Sequence, residues 1–68
     1  MTFPRAFQLA KLIAVADGRE VAVSRFIRSD EWKVFEGQIW PTPDLVVTPK
    51  GDVRVQTVIG RRALATAR

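Results

Sequence analysis

Apolar residues recur at helical spacing from the start of the chain. Phe3, Ala6, Leu9, Ala10 and Ile13 fall on one arc, while Arg5, Gln8 and Lys11 lie opposite. Pro4 suits a first helical position, where its missing N–H costs nothing, and Gly18 supplies a stop after Asp17. The pattern predicts a helix over residues 4–17. Leu12 and Val15 interrupt it, because both sit on its polar side. A second contact surface, such as one for a subunit partner, would explain them.

Beyond Gly18 the period shortens. In residues 20–28, Val21, Val23 and Ile27 share a parity, which predicts a strand; Val23, Phe26 and Ile27 also fit a helix, but the β-branched content favours the strand. Ser29-Asp30-Glu31 makes a polar turn. Residues 32–40 hold Trp32, Val34, Phe35, Ile39 and Trp40 with Gly37 inside, and predict a strand bulged at Gly37. The alternative there is a short helix capped by Ser29 and ended by Gly37. Pro41-Thr42-Pro43-Asp44 is a rigid connector, since neither proline can donate to a ladder. The clearest signal is a hairpin. Leu45–Thr48 and Val53–Ile59 flank Pro49-Lys50-Gly51-Asp52, where Pro49 sets the first turn position and Gly51 can take positive φ. On its second strand Val53, Val55, Thr57 and Ile59 face one way, and Arg54, Gln56 and Val58 the other. Gly60 ends that strand, and residues 61–68 form a short, Ala-rich, basic tail with helical propensity.

These elements predict one α+β domain over residues 1–68: an N-terminal amphipathic helix packed on a three- or four-stranded antiparallel meander, closed by a short C-terminal helix or tail. The alternative is a winged helix. Leu9–Ala16 would be the first helix of a helix-turn-helix, Asp17-Gly18-Arg19 the turn, and Glu20–Arg28 the recognition helix with Arg19, Arg25 and Arg28 outward. The stretch Glu36-Gly37-Gln38-Ile39-Trp40-Pro41-Thr42-Pro43 resembles the segment of phage excisionases that runs from their helix into the wing, with Gln38 in place of the usual basic residue. That resemblance implies the winged-helix arrangement and reaches no further along the chain.

Composition changes the picture in one respect. At 47% hydrophobic the chain can build a core, but 68 residues bury only about 60% of the unfolded surface, so the stability margin is thin. There is no Cys for a disulfide and no His for a metal site. Self-association, as a homodimer, is the expected staple, and no metal or cofactor is expected. The same inventory argues against catalysis. A His base and a Cys nucleophile are both lacking, Ser24 and Ser29 sit in no nucleophile motif, the glycines are too dispersed to cradle a phosphate, and the carboxylates are scattered. No run approaches the ~18 apolar residues of a membrane span. Residues 12–16 end in an Ala-x-Ala pattern like a leader cleavage site, but Lys11 cuts the apolar run below a secretory core. The protein is therefore expected in the cytoplasm.

Charge gives the functional expectation. The net charge is +4. Basic and acidic side chains balance over residues 1–49, and the whole excess lies in residues 50–68, where Lys50, Arg54, Arg61, Arg62 and Arg68 face Asp52 alone. Such a patch suits an anionic partner, most often nucleic acid. Two sets of residues fit. Arg25, Phe26 and Arg28 near Trp32 and Lys33 interleave cations with aromatics, which can neutralise phosphates and stack bases. Lys50 and Arg54 on the hairpin, with Arg61 and Arg62 behind it, can hold a phosphate backbone as a wing and tail do. The expected function is a small, non-catalytic, nucleic-acid-binding accessory or regulatory protein, with Arg25, Arg28, Lys50, Arg54, Arg61 and Arg62 as its contacts. The alternative is a protein-interaction module, a small inhibitor or adaptor docking a larger protein through exposed Trp32 and Trp40.

Overall fold

The computed structural model describes residues 1–26, 29–36 and 42–66. Helix α1 runs over Phe3–Asp17, with proline in its first turn, and ends at Gly18 in the left-handed region. The Gly18 N–H donates to the Ala14 carbonyl at 2.9 Å. Four strands follow: β1 (Val21–Arg25), β2 (Trp32–Glu36), β3 (Leu45–Val47) and β4 (Val53–Val55). Helix α2 closes the chain over Val58–Thr66. This is the expected α+β layout of an N-terminal helix, an antiparallel sheet and a short C-terminal helix.

The strands lie in the order β2-β1-β3-β4, all antiparallel. Two hairpins are thus joined through β1 and β3, whereas strictly sequential neighbours would set β2 beside β3. Val23 stands between Val34 and Leu45, and Val21 pairs with Val47. The parity that predicted a strand at residue 21 puts Val21 and Val23 on the face that α1 covers. Residues 21–25 therefore cannot form a recognition helix, and the winged-helix alternative fails at that element. The short helix considered for residues 32–36 is likewise a strand, paired in register with β1. The supposed bulge at Gly37, and Ile27, Trp40 and Pro41, lie outside the described residues.

The core sits between α1 and the sheet. Phe3, Ala6, Ala10 and Ala14 pack on Val21, Val23, Trp32, Leu45 and Val47. Phe3 meets the Trp32 ring edge-on at 4.7 Å between centroids. Ile13 is half-buried on the core arc as expected; Leu9, placed there by its spacing, is exposed instead, and Ala14 with half-buried Phe7 takes its role. The reason is bulk. Trp32, Leu45 and the valines fill the layer from the sheet side, so α1 comes close through alanines, and Leu9 falls to the rim. No helix of the described residues is long and apolar enough to cross a membrane.

The end of the hairpin differs from its sequence reading. The turn is as predicted, with Gly51 at φ 90° and its N–H donating to the Thr48 carbonyl at 3.0 Å. The second strand stops early. The Gln56 N–H donates to the Asp44 carbonyl at 2.9 Å, and two residues later the chain is already helical. Val58 and Ile59 belong to α2, and Gly60 lies inside that helix rather than ending a strand. The Thr57 hydroxyl decides the switch. It accepts the Gly60 N–H at 3.0 Å, satisfying one orphan donor of the first helical turn.

Candidate nucleic-acid interface

Asp44 fixes α2 to the sheet. Its carboxylate is buried and accepts the Arg25 backbone N–H at 2.8 Å and the Thr57 hydroxyl at 2.6 Å. Its own N–H donates to Ser24 Oγ at 3.0 Å. Three segments distant in sequence, the end of β1, the start of β3 and the cap of α2, therefore meet at one side chain. Gly60 rests on the Asp44 backbone so closely that a Cβ there would come within 2.9 Å of the carbonyl carbon. The inner side of α2 is Gly60 with half-buried Ala63 and Leu64, which pack against the core. Arg61 and Arg62 are left on its solvent side. Sequence reasoning treated Asp44 as part of a connector and missed the hub. The available signal was Thr57 three residues ahead of Gly60, the spacing of an N-cap hydroxyl and the N–H it accepts.

Asp17, Glu20, Glu31 and Glu36, like Asp44, are engaged elsewhere. Arg19 pairs with Glu36 at 2.7 Å and with Asp17 at 3.5 Å. Arg54 is held by both carboxylate oxygens of Glu20, at 3.0 and 2.7 Å. Glu31 lies 3.5 Å from the N-terminal amine. Among the described residues, Arg61, Arg62 and Lys50 make no ion pair. Exposed pairs contribute little to stability, but they cancel local field, so positive potential concentrates where pairing stops.

The six cations named from sequence do not form one patch. Lys50 is at the tip of the β3–β4 hairpin, and α2 leaves from the opposite end of β4. Val53 packs against the core, so its neighbour Arg54 projects from the other sheet face, in a cross-strand row with Val46, Ala22 and Phe35. Arg25 ends β1 half-buried, its backbone tied to Asp44. Arg28 lies outside the described residues. Among the described residues of this set, Arg61 and Arg62 alone are adjacent and exposed on one element with no ion pair.

The aromatic candidates separate too. Trp32 is 6% exposed and belongs to the core, so it cannot serve as a docking anchor; a small domain needs its large rings inside. Trp40 is outside the described residues. Phe26 is exposed, with the Lys33 ammonium 4.5 Å above its ring, so a cation and an aromatic do adjoin on the sheet face opposite α1. No family model, curated protein or solved structure matches this chain.

Proposed function

We propose that this protein is a small, non-catalytic nucleic-acid-binding accessory or regulatory protein of the cytoplasm, working as a homodimer and gripping the phosphate backbone through α2. One observation carries the reading: Arg61 and Arg62 stand side by side on the outer face of a helix anchored by Asp44, Thr57 and Gly60, with no carboxylate paired to either among the described residues. A guanidinium is always charged and presents a planar fork of donors that matches two phosphate oxygens. Anchoring matters because an ordered scaffold lowers the entropy lost on binding. Lys50 adds charge at the hairpin tip, and Arg54 supports the contact from within its pair with Glu20. Phosphate contacts position a protein without reading bases, so the binding is sequence-tolerant.

The test is fluorescence anisotropy with labelled duplex and single-stranded oligonucleotides at ~50 mM salt, where electrostatic attraction is strong. The wild-type chain is expected to bind several unrelated sequences about equally. Arg61→Ala with Arg62→Ala should weaken all of them to a similar degree and leave the circular dichroism unchanged, since both side chains are exposed. Failure of the wild type to bind either form, or undiminished binding by the double variant, overturns the proposal.

A further inference from the structure

Helix α1 turns its smallest residues inward and its larger aliphatic ones outward. Ala6, Ala10 and Ala14 are wholly buried, whereas Leu12 is 63% exposed, Val15 65% and Leu9 37%. Residues three and four apart adjoin on a helix surface, so Leu9, Leu12 and Val15 form one stripe. Single exposed aliphatics are ordinary. Three of them in one stripe over the C-terminal half of α1, in so small a domain, is an interface pattern.

We propose that two copies of this chain meet along this stripe, with their α1 helices antiparallel about a two-fold axis at Leu12. The surface rests on the self-association included in the proposed function, and gives it a location. Charge selects the occupant and its direction. Arg5 lies near the N-terminal end of α1 and makes no ion pair among the described residues. Near the C-terminal end, Asp17, Arg19 and Glu36 form a cluster carrying one net negative charge, where the unsatisfied helix carbonyls add a partial negative charge. Antiparallel packing brings each Arg5 end to this cluster on the second copy. Parallel packing would instead set Arg5 against Arg5 and Lys11 against Lys11. With the axis at Leu12, that residue faces its own copy, and Leu9 faces Val15 of the second copy. A two-fold contact of this kind is self-complementary and closes at a dimer.

The helix is only about 22 Å long at 1.5 Å per residue, so the contact falls short of the ~800 Å² per partner of a standard stable interface. The dimer is therefore weak, with a Kd on the order of 10 μM. Sedimentation equilibrium of the full chain from about 1 to 500 μM should show a monomer–dimer equilibrium. Leu12→Glu with Val15→Glu should weaken it about 30-fold or more while leaving the circular dichroism intact, because neither side chain belongs to the core. The chain has no Cys, so single cysteines report proximity cleanly. Under mild oxidation Leu12→Cys should cross-link to itself, and Lys50→Cys should not. A mixture of Leu9→Cys and Val15→Cys should give chiefly the mixed cross-link. A wild type that stays monomeric at ~500 μM overturns self-association altogether. A dimer that survives the paired glutamates overturns this surface alone. Cross-links only between like cysteines in the mixture overturn the antiparallel arrangement.

Discussion

Asp44 and Gly60 join the C-terminal helix to the sheet. The Asp44 carboxylate accepts one backbone N–H and one hydroxyl at a single buried point. Asp44→Ala leaves the Arg25 N–H and the Thr57 hydroxyl without an acceptor, and each orphaned buried group costs about 1–3 kcal/mol. The variant should therefore lose about 2 kcal/mol or more in urea unfolding, and an unchanged midpoint would show that water replaces the carboxylate. Gly60→Ala tests two opposed effects. Alanine gains about 1 kcal/mol of helix propensity over glycine. Its Cβ, however, enters the space of the Asp44 carbonyl, which is backbone and cannot rotate aside. Overpacking of this kind costs about 1–3 kcal/mol, so net destabilisation is expected. A melting temperature lowered by about 4 °C or more checks it, since 1 kcal/mol shifts a domain of this size by about 4–8 °C. A rise in melting temperature would mean that α2 does not sit against Asp44. The Thr57–Gly60 cap has a local signature in its spacing, but the place of Asp44 does not, because a hub built by the ends of three segments leaves no pattern along the chain.

Legibility was greater for the elements. The 3.6-residue period with Pro4 and Gly18 at its ends located α1 to within a residue, and alternation of Val21 and Val23 located β1. The hairpin turn was readable because Gly51 does what only glycine does readily, at φ 90°. Gly51→Val should therefore cost about 1 kcal/mol or more, seen as a lower melting temperature with the same fold; no loss would mean the turn can be remade with negative φ. The boundary between β4 and α2 escaped, since Val53, Val55, Thr57 and Ile59 continue a strand pattern that Thr57 breaks by capping. Helical spacing named the inward side of α1 correctly at Phe3, Ala6, Ala10 and Ile13 but set its edge wrongly at Leu9. Leu9 and Ala14 both lie near the apolar arc, and only the bulk of Trp32 and Leu45 on the facing sheet decides for alanine.

At the scale of the whole molecule, two helices cover one face of a four-stranded sheet, while Asp17, Glu20 and Glu36 pair with arginines beyond the C-terminal end of α1 and Asp44 is drawn into its hub. The excess positive charge counted along residues 50–68 does not gather into one patch, because Lys50, Arg54 and α2 occupy different ends and faces of β4. Sequence locates the excess charge in residues 50–68 but cannot separate Arg54, neutralised across the fold by Glu20, from Arg61 and Arg62. Charge arithmetic runs along the chain, whereas ion pairing runs between strands. The proposed role of α2 is tested most directly by the slope of log affinity against log salt for one duplex. Each lost phosphate contact removes about 0.9 from that slope. Arg61→Ala with Arg62→Ala is expected to make it shallower by roughly two, while Arg54→Ala changes it by less than one. Equal slopes for the wild type and the double variant would contradict the assignment of phosphate binding to α2.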